Sequence, residues 1–523
     1  MSDFDCDVLV AGLGPVGAAM AALLVQQDLS VIAIDKDVDV YPMPRAAHFD
    51  HEIMRLFQQL GVADEVLRHA RVPSAYEFRT ADGEVLMRFE LDRGPSPSGW
   101  PASFMFHQPS LENALRARVA AAPNADVRLG CRFIGFVQDA EGVTAEVEDT
   151  AGERTTLRAR YVVGCDGASS AVRGACGIAL DDYQFDEPWL VVDVHVGASA
   201  RLPAENLQIC DPAGPTTCVL MGPGRHRWEF MLRPDEVPGD VLDDGYIRER
   251  LRPWGCADDV TIERKAVYRF HGLVAKAWRQ GRVLLAGDAA HQTPPFAGQG
   301  MCSGLRDAAN LAWKLAAMLR LGASEALLDT YQTEREPHTR ALIERAIQMG
   351  RVVCTADPVQ AAARDAALLA ERRAGRQPPL PPPPDLGPGC LMAGAPGAGQ
   401  LFPQPWAVAD GQTLRLDDVL GPGPWLISRS TPSVGPWPGP MQRIPLDDAR
   451  LAPFRADIGA WLDRRGAEAV LVRPDRYVFG AGAAGELEHA FADQMKAAVP
   501  SCPTPAAPDQ RTGASFAASA APM

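Results

Sequence analysis

The stretch that most limits what this chain can fold into lies near its start. Asp7 to Ala11 reads DVLVA, a short apolar run of strand character, and it passes directly into Gly12-Leu13-Gly14-Pro15-Val16-Gly17. Ala18 to Gln27 then carries the Ala- and Leu-rich pattern of a helix, and Val31 to Ile34 is a second strand. Asp35 closes that strand 18 residues after Gly17, with Lys36 beside it. In such a unit Gly12 allows a tight turn, Gly14 lets backbone approach a pyrophosphate, and Gly17 lets the helix pack on the strand. Asp35 can accept hydrogen bonds from a ribose. A lone G-x-G-x-x-G is common, but one set between strand and helix with an acid at this distance marks a dinucleotide seat. Gly12, Gly14, Pro15, Gly17, Asp35 and Lys36 are therefore expected to bind the cofactor. The unit by itself does not separate FAD from NAD.

Two later stretches repeat the arrangement of strand, acid and tight loop. Val283 to Gly304 reads VLLAGDAAHQTPPFAGQGMCSG. Val283 to Ala286 is a buried-strand pattern, and Gly287-Asp288 places a carboxylate just past its end. Thr293-Pro294-Pro295-Phe296 is a proline-rich turn, and Gly298, Gly300 and Gly304 lead into a helix that ends near Gly322. The free N–H groups of that helix start can face negative charge. Tyr161 to Cys165 is another buried strand, followed by Asp166-Gly167 and, after a short loop, Arg173. Asp166 can bind hydroxyls or backbone amides; Arg173 can meet phosphate or pin the loop.

The GDAAH…PP…GQG string, read with the other two stretches, resembles the FAD-dependent aromatic hydroxylases, the single-component flavoprotein monooxygenases of the p-hydroxybenzoate hydroxylase type. The resemblance is good over residues 5–350 and weak beyond. It implies an α/β fold, with a Rossmann-like FAD-binding domain over 1–177 and 277–376 interleaved with a mixed β-sheet substrate domain over 178–276. It implies that Arg45 and Gln108 contact the flavin nucleotide and that Asp166 serves both flavin and pyridine nucleotide. Gly287, Asp288, Pro295, Gly298 and Gly300 would complete the FAD site, with Pro295 fixing the ring through its backbone. The chemistry implied is reduction of FAD by NADH or NADPH, formation of a flavin C4a-hydroperoxide with O2, and its attack by an electron-rich phenol. The segment Pro44-Arg45-Ala46-Ala47-His48-Phe49-Asp50 and the C-terminal part resemble the 3-(3-hydroxyphenyl)propionate hydroxylases. That implies 3-(3-hydroxyphenyl)propionate or 3-hydroxycinnamate as substrate, hydroxylated at the 2-position in aromatic catabolism. Resorcinol, other phenols and polyketide aromatics stay open, as do a nicotinamide-dependent dehydrogenase and a non-catalytic flavin-binding protein. No W-x-W-x-I-P segment of a flavin halogenase is present.

Phenols ionise near pH 10, as tyrosine does, so a neighbouring group should aid deprotonation before attack. His48 is the candidate and Tyr183 the alternative. In the sheet, Trp228, Phe230 and Met231 are candidates for the substrate lining, with core packing the default. Arg225, Arg227 or Arg233 could meet a substrate carboxylate. Asp50 to Gly61 shows one apolar helix face, Ser110 is an expected N-cap, and Tyr331-x-x-Glu334-Arg335 is expected to pack.

Net charge is −15, which lacks the basic footprint of a nucleic-acid or anionic-membrane binder. Val8 to Val25 is uncharged, but glycines and Pro15 interrupt it and acids precede it, so it is no signal or span. The 11 cysteines form no C-x-x-C pair, which suits reduced thiols in a cytoplasmic protein, and no metal site is expected. Residues 377–400 form a proline-rich linker. Residues 401–500 are expected to be a thioredoxin-like domain without redox cysteines, serving structure or a homodimer. Residues 501–523, rich in Ala, Pro and Ser, are expected to be disordered.

Overall fold

Five strands lie side by side and parallel in the first sheet: Val283–Leu285, Arg154–Gly164, Cys6–Ala11, Val31–Asp35 and Ala125–Leu129. Their central members are continuous apolar runs over Val8 to Ala11 and Val31 to Ile34, as strands covered on both faces tend to be. The register pairs Ala11 with both Gly164 and Ile34, so Gly12, Cys165 and Asp35 emerge together at one edge. That edge is where ligands bind in open α/β sheets. The helix Pro15–Gln26 starts there, earlier than the expected Ala18, because Pro15 at its first turn already has the backbone angle a helix needs. Arg154–Gly164 also runs on into an antiparallel meander with Val143–Glu148 and Arg132–Gln138.

The computed structural model describes residues 3–91, 94–376, 381–409, 411–431, 435 and 439–496. The expected tail 501–523 and the start of the linker, 377–380, lie outside the described residues. Among the described residues, no helix is long and apolar enough to cross a membrane.

A second sheet stands against the first. Its order is His291–Gln292, Val260–Ala275, Leu180–Val196, Arg225–Met231, Thr216–Leu220, Asn206–Ile209, Ala75–Arg79 and Val85–Glu90. Neighbours are antiparallel except Asn206–Ile209, which runs parallel to Ala75–Arg79. The sheet therefore reaches outside the interval 178–276, taking a hairpin from before it and a short strand from after it. Alternation in a sequence identifies a strand but not its partner.

Beyond residue 400 a four-stranded sheet has the order Gln442–Pro445, Trp425–Ser428, Ala469–Val472, Val478–Gly482. Its first pair is parallel and the other two antiparallel, flanked by the helices Arg455–Asp463 and Ala484–Lys496, a thioredoxin-like arrangement. This domain is docked. Leu426, Leu471, Phe479, Leu487 and Phe491 form one buried cluster with Trp313 and Ala317 of the helix Gly300–Leu321.

Candidate active site

The glycines of the first turn are explained by contact distances. A Cβ on Gly17 would stand 1.9 Å from the Gly12 carbonyl oxygen, and one on Gly12, at φ +93°, would stand 2.5 Å from that of Cys165. Nothing lies within 4 Å of a Cβ on Gly14, so its open side is free for a ligand to approach. Gly14, Pro15 and Val16 line a cavity of about 1110 Å³, which the two sheets and the loop 286–301 enclose. That exceeds the roughly 300–1,000 Å³ of an ordinary small-molecule pocket and leaves room for a dinucleotide and an aromatic ring.

Of the expected cofactor residues, Gly14, Pro15, Arg45, Gln108, Asp288, Pro295, Gly298 and Gly300 share this wall, together with His48. Gly12, Gly17, Asp35, Lys36, Asp166 and Gly287 stand behind or beside it. Asp35 accepts from the Leu13 N–H at 2.7 Å, the Asp37 N–H at 2.9 Å and the Arg116 guanidinium at 3.3 Å, which fixes the glycine turn. Lys36 is exposed. Asp166 takes the backbone-amide role: it accepts from the Val172 N–H at 3.0 Å and from the Ser170 hydroxyl. Arg173 pins the loop by donating to the Ala289 and Ala168 carbonyls at 2.9 and 2.8 Å.

Gln108 accepts from the Arg45 and Ala46 N–H groups at 2.9 and 2.5 Å and donates to Glu112, so it holds the loop that carries Arg45. Its helix starts at Gln108 with His107 as N-cap, because Pro109 opens the first turn. Ser110 is thus inside the helix and meets the His107 ring at 2.8 Å instead of capping. Asp288 opens onto the cavity, where the surrounding protein raises its carboxyl against the pull of His291 and Arg45. Gly287 before it is held by Asp307, which also meets His291 at 2.6 Å and Arg335 at 2.9 Å. Tyr331 donates to the Leu285 carbonyl at 2.9 Å. The Tyr331-x-x-Glu334-Arg335 motif, expected to pack, is therefore a polar brace under the Gly287-Asp288 loop. Sequence reasoning missed Asp307, whose sign is an acid inside an otherwise apolar helix face.

The helix Gly300–Leu321 has Gln299 as N-cap with no side-chain cap, leaving its first-turn N–H groups free beside the cavity. Thr293 adds a buried hydroxyl that has no partner among the described residues, in the same wall. An uncapped helix start, an orphan hydroxyl and the open side of Gly14 fit a group with phosphates and a polar ring edge, which FAD is. Pro295 opens the turn Pro295–Ala297, and Phe296 is wedged between Phe185, Trp189 and Phe270, with ring centres 5.9, 5.7 and 6.2 Å away. That packing fixes the turn.

His48 meets the Gly298 carbonyl through Nδ1 at 3.0 Å. A carbonyl only accepts, so Nδ1 carries the proton; burial lowers the pKa of the ring, which favours the neutral form. In the same cavity wall, the Tyr76 hydroxyl donates to the Phe296 carbonyl at 3.0 Å, Gln208 donates to Tyr76 at 2.9 Å, and Thr217 donates to Gln208 at 2.8 Å. Trp228 and Phe230 point the other way, into a separate core with Ile247 and Leu251, because neighbours on a strand face opposite sides. Met231 packs against the main core. Arg227 does reach the wall, but Asp193 and the Pro44 and Arg45 carbonyls occupy it. Arg225 is paired with Glu263, and Arg233 with Asp235 and Glu236. Tyr183 lies outside the cavity wall, hydrogen-bonded to Arg340.

Fold and cavity together define a dinucleotide-dependent α/β enzyme. The chain belongs to the FAD-dependent aromatic hydroxylases, flavoprotein monooxygenases: the FAD binding domain family matches residues 5–346. The HcaD C-terminal domain family matches residues 442–498. A probable NADH-specific resorcinol 4-hydroxylase of Rhodococcus jostii (strain RHA1) is 38% identical, covering 97% of both chains. A 3-(3-hydroxy-phenyl)propionate/3-hydroxycinnamic acid hydroxylase of Mycobacterium sp. (strain JLS) is 37% identical over 80% of this chain and 75% of its own. Among solved structures, the flavin-dependent monooxygenase PieE with FAD and substrate superposes with a TM-score of 0.78 at 25% identity, covering 95% of this chain and 100% of PieE.

Proposed function

We propose that the protein uses NADH and O2 to hydroxylate a phenol with a second substituent meta to its hydroxyl. The substrate is 3-(3-hydroxyphenyl)propionate or 3-hydroxycinnamate, and the new hydroxyl enters at position 2. One oxygen atom goes to the ring, the other to water, and NADH supplies two electrons. The observation that carries this reading is one cavity in which His48 and the Tyr76–Gln208–Thr217 chain face the turn Pro295–Ala297. Bound FAD supplies the reducing and oxygen-activating chemistry.

The residues around it do the rest. Gly14, Arg45 and Asp288 would hold the nucleotide, and the free N–H groups after Gln299 would stabilise negative charge on it. His48, with its proton on Nδ1, offers Nε2 to take the phenolic proton. The aromatic packing around Phe296 keeps water from that side. Arg345 lines the cavity and donates to the Pro381 and Pro382 carbonyls, both at 3.1 Å, with no acid among these partners; it is the group placed to meet a propionate carboxylate.

A second reading, resorcinol, rests on the sheet wall itself. Its arginines are engaged: Arg227 and Arg264 are both tied to Asp193 and the Pro44 carbonyl, and Arg269 is paired with Asp186, while Tyr76, Thr217 and Gln208 offer hydroxyl and amide groups. NADH oxidation by the purified holoenzyme with each phenol decides between them. The first reading expects faster oxidation with the propionate and a 2,3-dihydroxyphenyl product; no rise above the substrate-free rate removes it. Under that reading Arg345→Leu raises KM for the propionate and leaves that for resorcinol unchanged. We place the protein in the cytoplasm, where the free thiols of its described cysteines stay reduced, and as a homodimer, which sedimentation tests.

A further inference from the structure

The C-terminal domain does not merely cover the catalytic half; it reaches the cavity. Leu401, Pro403 and Tyr477 line the same wall as Gly300 and His48. The Tyr477 hydroxyl donates to Glu52 at 2.7 Å. Glu52 accepts from Arg306 Nε at 2.6 Å, and Arg306 also donates to Asp50 and, at 3.0 Å, to Gln299. Gln299 in turn donates to Asp50 at 3.2 Å. These contacts link the C-terminal domain, in an unbroken line of side chains, to the residue just ahead of the helix Gly300–Leu321.

The turn that presents Tyr477 is held on both sides. Arg476 sits at φ +68°, a left-handed conformation that non-glycine residues adopt only under constraint. Its guanidinium is bound by Asp417 at 2.8 Å and by the Gly421 carbonyl at 3.0 Å, and it stacks on Trp425. Arg473 and Asp475 lock the other side: Arg473 donates to Glu334 at 2.8 Å, and Asn310 bridges Glu334 and Asp475. Arg55, one turn along the helix from Glu52, is meanwhile bonded to Asp417 and to the Phe402 carbonyl. A strained turn clamped this firmly fixes where the Tyr477 hydroxyl points.

We propose that Tyr477 is a positioning residue of the flavin site: by holding Glu52 it keeps Arg306 between Glu52 and Asp50, and so keeps Gln299 and the first turn after it in place to receive the cofactor. The dispersal of the parts suits the role, since the C-terminal domain must be folded and docked before the helix start is set. The inference rests on the family's need for FAD and not on which phenol is the substrate.

Tyr477→Phe removes one hydroxyl and keeps the ring. In the full-length protein, a buried hydrogen bond to a charged group corresponds to about a tenfold effect. FAD titration into apoprotein, followed by flavin fluorescence, is expected to give a dissociation constant raised about tenfold. Hydrogen exchange in the holoenzyme is expected to quicken by a similar factor in peptides covering 297–306. Glu52→Gln should act in the same direction, and the double variant should be no worse than the more severe single one, because both break the same line. Leu462→Ala, in the C-terminal domain's own core, is the control: it lowers Tm but leaves FAD affinity and 297–306 exchange as they were. The proposal is overturned if Tyr477→Phe leaves both readouts unchanged, if its effects add to those of Glu52→Gln, or if Leu462→Ala weakens FAD binding equally.

Discussion

The Gly12–Gly17 turn and the Asp50–Arg306–Glu52–Tyr477 line both serve the cofactor end of the molecule, but by opposite means. The turn works by leaving side chains out: at Gly12 and Gly17 backbone meets backbone at distances no Cβ would permit. The line works by bringing side chains in, from three separate parts of the chain, so that each buried charge has a partner. The turn fails by steric overlap and the line by unpaired charge. Steric seats are local and tolerate nothing; charged networks are dispersed, and each member depends on the rest.

The largest effect is expected on the side-chain-built wall. His48→Ala should lower kcat by roughly 10²–10⁴-fold while FAD stays bound, if Nε2 takes the phenolic proton. In the parent enzyme kcat should fall on acidification only below the usual histidine range, because burial lowers the pKa of this ring. A fall in kcat already setting in at or above the ordinary histidine value of about 6.5 would count against this role. Arg306→Met should cost about 3–5 kcal/mol in urea denaturation, since Asp50 and Glu52 would be left buried without their cation.

Acidification tests the same contrast, because the glycine turn itself has no ionisable side chain. Burial pushes His107 down to about 4 and His226 down to about 3. Both pKa values are lowered in the folded state, so their contribution is fully present above the unfolded value of about 6.5 and is lost as pH falls through the folded ones. The free energy of unfolding should therefore drop between pH 6.5 and 4, by on the order of 2–4 kcal/mol once the partial exposure of His107 is allowed for. Gly17→Ala should follow, at about 1–3 kcal/mol with loss of FAD from the purified protein, because its Cβ meets the Gly12 carbonyl. Gly14→Ala should be the smallest in stability, within about 0.5 kcal/mol, and yet weaken FAD binding, since its Cβ meets only the open space kept for the ligand. Equal losses for the two glycines would erase the distinction drawn between them.

Much of the cofactor half was legible before any coordinates. The strands at Val31 and Val283, the helix after Gly300 and the acids Asp35 and Asp288 follow from short-range patterns, because a strand, a turn and a helix start are each decided by neighbours in sequence. The sheet wall was legible only in part. Its strands were found, but Trp228 and Phe230 were offered as substrate lining although they face away, since alternation gives two faces and does not say which one is inside. Of the three arginines that could meet a substrate carboxylate, Arg227 lines the cavity, but its charge is taken by Asp193, a partner on another strand.

What the sequence determined by itself is whatever depends on a few consecutive residues, such as the dinucleotide turn, together with the FAD class and fold implied by three such stretches in order. Tertiary structure alone decided which groups remain free to act. Asp35 and Asp166 are occupied by backbone amides, whereas His48 and Arg345 line the cavity. The brace of Asp307 with Arg335, and the reach of Tyr477 from the C-terminal domain to Glu52, join residues far apart along the chain. Hydrogen bonds and ion pairs act over a few ångströms in space whatever the separation in sequence, so no local pattern announces them.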